Sequence, residues 1–226
     1  MRVAPLAMAY DVYEGKIELL KQVDEQGAEI AAITHGHPLG YLPAAVLVHI
    51  FQRIIFSRNN QTLEEIIVEA KTVVGEIYKD FGQDDTYLNE LNRLIDLAIE
   101  LSKNNESDLD NIHRLGEGWV AEETLAIALY CSLKYPNDFS KAIIAAVNHK
   151  GDSDSTGAVT GNIVGAIVGY DAIDDKCKEN LELMDVILEM SEDICFQDPN
   201  HCSSVEQTIV DETWEAKYWG CRKVPL

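Results

Sequence analysis

Asn148-His149-Lys150-Gly151-Asp152-Ser153-Asp154-Ser155-Thr156-Gly157 runs directly into Ala158-Val159-Thr160-Gly161-Asn162-Ile163-Val164-Gly165-Ala166-Ile167-Val168-Gly169. The second part carries Val, Ile and Ala at the period of a helix. It is punctuated by Gly157, Gly161, Gly165 and Gly169 at a strict four-residue spacing. Each glycine costs about 1 kcal/mol of helix propensity relative to alanine. That cost is met where neighbouring helices approach the backbone closely, so this helix is expected inside a helical packing, fixing the acidic loop at its end.

The same period of three and four recurs on both sides. It predicts helices over 14–33, 39–57, 63–80, 86–103, 120–134, 138–149, 156–169 and 181–196, with no alternating strand. Thr62-Leu63-Glu64-Glu65 reads as a capping box at the start of the third. Pro43 is expected in the first turn of the second, where a missing N–H costs little. Ser57 to Thr62, Asn104 to Asp110 and Asp171 to Asn180 read as surface connections. No internal repeat and no linker rich in Gly, Ser or Pro divides the chain. The expectation is an all-α fold, a single compact multi-helix domain over 1–226. Its last part, 197–226, is expected to dock back through Trp214, Tyr218 and Trp219.

The totals narrow the function classes. With 226 residues and 46% hydrophobic composition, the chain has material for one sizeable core. The 39 acidic and 18 basic residues give a formal charge of -21, which repels phosphate backbones and anionic lipid. Nucleic acid and membrane are therefore not expected partners, and no run of about 18 uninterrupted apolar residues occurs. Cys131, Cys177, Cys195, Cys202 and Cys221 are an odd count without a CxxC pair, and the short apolar stretch after Met1-Arg2 is not expected to be a cleavable leader. These features point to a reduced, cytoplasmic protein.

Three segments bear chemistry. Asp152, Asp154 and Ser155 are hard oxygen donors, which suit magnesium or calcium rather than zinc. A helix cap by Asp154 or Ser155 is the competing account, and it leaves Asp152 without a role. A helix N-terminus also carries about half a positive charge, which opposes a cation, so a two-ion centre needs more carboxylates than this loop holds. Thr34-His35-Gly36-His37-Pro38 puts two imidazoles at a helix junction. There His37 reads as structural, and His35 as a donor to a ligand hydroxyl. Gly116-Glu117-Gly118-Trp119 leads into another helix, and Trp119 reads either as core or as the wall of a pocket for a flat base.

Taken with Met1-Arg2-Val3-Ala4-Pro5-Leu6, these segments in this order resemble the ADP-ribosylglycohydrolase family, which includes the dinitrogenase-reductase-activating glycohydrolases. The resemblance extends from Met1 to about Asp193. It implies an all-α ADP-ribosylglycohydrolase-like domain with a two-magnesium centre. It also implies hydrolysis of the bond between the terminal ribose of ADP-ribose and a protein side chain or a related small molecule. By the resemblance, Asp152, Asp154 and Ser155 fall on metal ligands, and His35 and Trp119 on stretches lining the ADP-ribose pocket. In the family, the Met-Arg-Val-Ala-Pro-Leu block follows a region with a Thr-Asp-Asp set of further ligands. Here the chain begins at Met1, so the resemblance implies an N-terminally truncated domain, roughly the C-terminal two-thirds. Its centre is then completed by a missing segment, a second polypeptide or self-association. Gln83-Asp84-Asp85-Thr86 reads as a helix cap rather than as a substitute for that set. Two other classes remain open at this point: a non-catalytic ADP-ribose or nucleotide binder, and a structural or regulatory helical partner protein.

Overall fold

Pro38 opens a long, apolar helix, because its fixed φ suits a first turn and its missing N–H would have had no partner there. The computed structural model describes residues 1–10, 12, 15–79, 86–179 and 181–196. It contains α1 (Ile17–Ala32), α2 (Pro38–Phe56), α3 (Leu63–Tyr78), α4 (Thr86–Ser102) and α5 (Asp108–Leu115). These are followed by α6 (Ala121–Lys134), α7 (Phe139–Val147), α8 (Ser153–Val168) and α9 (Met184–Phe196). Short 3-10 turns lie at Ala4–Ala9, Tyr170–Ala172 and Asp175–Cys177, and no strand occurs among the described residues. The all-α expectation is met. The chain divides into two compact units, Met1–Met184 and Asp185–Leu226. Residues 197–226, with Trp214, Tyr218 and Trp219, lie outside the described residues, as does Gln83-Asp84-Asp85.

Within the first unit α2 is the core helix. Every residue from Leu42 to Arg53 is buried, His49, Gln52 and Arg53 included. By length and composition alone α2 is apolar enough to cross a membrane, and burial inside a helical packing accounts for that composition. Pro43 is not in the first turn as expected. It lies inside α2, where its missing N–H leaves the Leu39 carbonyl without a helical donor, a cost of about 3 kcal/mol that buried packing has to offset. The α1–α2 pair is the most extensively packed. Gly27 is its close point, since a Cβ there would meet Val48 Cγ2 at 2.8 Å.

Buried polar groups tie the helices together. His49 Nδ1 is 2.8 Å from Asp24 Oδ2, with both side chains fully buried. Arg53 Nε donates to Glu69 Oε1 at 2.9 Å, joining α2 to α3. The Thr62 capping box forms as expected, with Glu65 N–H donating to Thr62 Oγ1 at 3.2 Å and Thr62 N–H to Glu65 Oε2 at 2.7 Å.

Asn104 to Asp110 is not wholly a connection, because α5 begins inside it. Ser107 Oγ accepts from Asp110 N–H at 3.2 Å and caps that helix, which closes at Gly116 with φ 129°. Two turns give too short a period to stand out from their charged neighbours. Asp108 then accepts from Tyr130 at 2.5 Å and Tyr135 at 2.8 Å, and pairs with Lys134 at 3.0 Å, fastening α5 to α6.

The glycine stripe does what its spacing suggests. Along α8, a Cβ on Gly157 would meet Val147 at 2.6 Å, on Gly161 Ile143 at 3.4 Å, and on Gly165 Phe139 at 3.7 Å. These partners also step by four residues along α7, so the two helices lie antiparallel with the glycines against its side chains. Gly169 is different: at φ 79° it terminates α8.

Candidate functional site

The acidic segment occupies the corner between α7 and α8. The expected helix start at 156 is corrected, because α8 begins at Ser153 with Asp152 in the N-cap position. Asp154 and Ser155 therefore lie in the first helical turn, not on a loop before it. Neither acts as the cap, and Asp152 makes no side-chain capping bond. Instead Ser155 Oγ donates to Asp152 Oδ2 at 2.7 Å. Hydrogen bonding with Asp154, and then with Ser155, holds the Asp152 carboxyl below its ordinary range. Asp154 is exposed, Asp152 half-buried and Ser155 buried.

His149 and Thr156 shape this corner. Gly151 N–H donates to His149 Nδ1 at 3.0 Å, and His149 Nε2 lies 2.9 Å from Thr156 Oγ1. The Thr156 hydroxyl reaches the Ala146 carbonyl at 2.7 Å, across the α7–α8 hairpin.

The Gly116–Trp119 turn is brought against this corner. Asp152 N–H donates to the Glu117 carbonyl at 2.8 Å. A Cβ on Gly151 would lie 1.7 Å from that same oxygen, so only glycine permits the approach. Gly118, at φ 77°, sits over Thr156, whose Cγ2 would be 2.7 Å from an added Cβ. The turn is also held from behind. Glu123 Oε2 accepts from Glu117 N–H at 3.1 Å and Gly118 N–H at 3.0 Å, and Thr124 Oγ1 donates to the Gly118 carbonyl at 2.7 Å.

Trp119 is not core: it is 66% exposed, and its indole N–H donates to Glu117 Oε2 at 3.2 Å. A tryptophan left in water beside two carboxylate-bearing turns retains a free aromatic face. His35 lies at the corner between α1 and α2, exposed, with Thr34 Oγ1 2.8 Å from its Nδ1. Its hydrogen bond is local and does not join it to Asp152. His37 is structural as expected, capping α2 by accepting Leu39 N–H at 3.2 Å and meeting the Tyr87 ring edge-on at 4.9 Å.

The backbone bond from Asp152 to Glu117 thus brings the turn that carries Trp119 against the corner that holds Asp154 and Ser155. Glu123, Thr124, His149 and Thr156 escape a reading of the sequence, because their roles depend on which turns meet. One local signal existed: a ring nitrogen two residues before Gly151 accepts its amide much as an Asx side chain would. The oxygen donors match a hard divalent cation in kind. They fall short in number, since no group of three or more His, Cys, Asp or Glu side chains able to hold a metal forms among the described residues.

An all-helical domain with an acidic corner at the start of a glycine-striped helix, joined to a glycine turn bearing a tryptophan, defines the class. The sequence model of the ADP-ribosylglycohydrolase family matches residues 1–203, and the chain belongs to that family. The chain is similar to the ADP-ribosylhydrolase ARH3 of Mus musculus, 24% identical over 201 residues, covering 80% of this chain and 51% of the relative. Its likeness to the Homo sapiens ARH3 is 23% over 201 residues, covering 80% and 52%. An uncharacterised protein of Archaeoglobus fulgidus is 30% identical over 195 residues, covering 84% of this chain and 55% of the relative. The chain spans about half the length of the curated relatives it matches. No solved structure matches it.

Proposed function

We propose that this protein acts on ADP-ribosyl linkages, releasing ADP-ribose from a modified protein side chain or a related small molecule with the help of magnesium. The observation that carries the reading is the Asp152–Glu117 hydrogen bond at 2.8 Å, which unites the acidic corner with the Trp119 turn. Membership of the ADP-ribosylglycohydrolase family supports the substrate class.

In this reading Asp152, Asp154 and Ser155 would hold a divalent cation. The cation would supply Lewis acidity near the ribose hydroxyls and the attacking water. The chain's own residues bind and orient. Trp119 offers its exposed face to the adenine base. His35 donates to a ligand hydroxyl.

Calorimetry with magnesium and with ADP-ribose, and ADP-ribose release from an ADP-ribosylated protein, test the proposal together. Asp154→Ala is expected to weaken magnesium binding at least about tenfold without moving the melting temperature by more than about 2 °C. Absence of magnesium binding at millimolar concentration would overturn the metal assignment. The short carboxylate set favours one second reading, a non-catalytic ADP-ribose binder, and it would be identified by binding without release.

A further inference from the structure

We infer that His149 is the positioning residue of the acidic corner, a strut whose two ring nitrogens fix the conformation in which Asp152 and Ser155 present their oxygens. The inference rests on the proposed ligand site at the start of α8.

Both nitrogens are committed. Nδ1 accepts Gly151 N–H at 3.0 Å, so it carries no proton. Nε2 lies 2.9 Å from Thr156 Oγ1, whose own hydroxyl proton has carbonyl acceptors in reach, Ala146 at 2.7 Å, Asp152 at 3.1 Å and Ser153 at 3.4 Å. Nε2 must therefore be the donor, and the neutral Nε2–H tautomer satisfies every partner at once. The consequences reach both halves of the site. The bond to Nδ1 orients the Gly151 peptide, whose next amide, on Asp152, donates to the Glu117 carbonyl at 2.8 Å. The bond from Nε2 fixes Thr156, on whose methyl group Gly118 rests. One imidazole thus sets the corner's backbone and supports the turn that carries Trp119. The ring's hydrogen bonds go to the Gly151 backbone and to Thr156 and not to a proposed ligand side chain, so it acts through those two residues, as outer-shell groups do in metal sites.

The variants separate the two bonds. His149→Asn retains an acceptor for the Gly151 amide, as in an Asx turn, but is too short to reach Thr156. His149→Ala loses both bonds, and Thr156→Val loses only the second.

In the full chain at about pH 8, where an ordinary imidazole is neutral, ring nitrogen chemical shifts should show the Nε2–H tautomer in wild type and also in Thr156→Val, where the Gly151 amide still occupies Nδ1. Hydrogen exchange at the Gly151 amide should quicken at least about tenfold in His149→Ala and less than about threefold in His149→Asn. Magnesium and ADP-ribose affinities should fall about 10- to 100-fold in His149→Ala, and His149→Asn should recover part of the loss.

An Nδ1–H or averaged ring in wild type overturns the inference, as does unchanged Gly151 exchange in His149→Ala. Unchanged affinity in a His149→Ala protein with fast exchange overturns it as well. If wild type binds neither magnesium nor ADP-ribose, the proposed function fails, and the tautomer and the exchange rates alone decide whether His149 organises the corner.

Discussion

The amide of Asp152 donates to the carbonyl of Glu117 at 2.8 Å, joining the turn that starts α8 to the turn that precedes α6. Gly151→Ala should separate them, because its Cβ would lie 1.7 Å from a backbone oxygen that has nowhere to go. The expected loss is at least about 2 kcal/mol in urea unfolding, together with ADP-ribose binding. Gly157→Ala is the control. Its Cβ would meet a side chain and not backbone, Val147 Cγ1 at 2.6 Å, and the roughly 1 kcal/mol of helix propensity gained offsets part of the cost of displacing it, so its loss should be the smaller. A Gly151→Ala protein as stable as wild type would refute the contact.

Trp119 is 66% exposed, so Trp119→Ala should leave the melting temperature nearly unchanged. A stacked base contributes about 1–3 kcal/mol, so ADP-ribose affinity should fall roughly 5- to 150-fold, with Trp119→Phe retaining most of it. Equal affinity in Trp119→Ala and wild type, measured by calorimetry, would remove Trp119 from the site.

Asp108 gives the acid limb of the stability curve a definite sign. Burial pushes its carboxyl up, but hydrogen bonds from Tyr130, Lys134 and Tyr135 outweigh this and hold it below its ordinary range. The folded state therefore binds fewer protons there than the unfolded chain. This stabilisation is fully present above the unfolded pKa of about 3.9 and is lost as pH falls through the folded value. Asp108→Asn should flatten the pH dependence of unfolding below about pH 4. Tyr130→Phe should cost about 1–2 kcal/mol at neutral pH by leaving Asp108 and Asn111 each a bond short.

Asp24 and His49 are both fully buried, and burial pushes the Asp24 carboxyl up. Asp24→Ala or His49→Ala should cost about 3–5 kcal/mol, because each leaves a polar partner stranded in the core. Replacing both together with apolar residues of similar volume should restore most of that in chemical denaturation. A double variant no more stable than the singles would show that the pair does more than satisfy itself.

Most of the helical framework is legible in the sequence because helix period and capping are local. Val159, Ile163 and Ile167 announce α8, and Thr62 with Glu65 marks the start of α3. The glycine spacing announces the close face that α7 occupies. Where the local signal is short or ambiguous, the reading slips. Ser107 begins α5 inside an apparent connection, Pro43 sits within α2, and α8 starts at Ser153. Pro43 is accommodated by burial that only packed neighbours supply, whereas Ser107 caps an exposed helix start too short to show a period.

The order of glycine turns and acidic residues along the chain determines the family and the donor types at Asp152, Asp154 and Ser155. Tertiary structure alone decides that Gly151 admits the Glu117 carbonyl, that Glu123 and Thr124 brace the Trp119 turn, and that His149 has both nitrogens engaged. It also places His35 at the corner between α1 and α2, bonded to Thr34. The reason is geometric. Helix period is written in residues three and four apart, whereas the meeting of the two turns is fixed by how α6 packs on α8, through contacts between residues far apart in the chain.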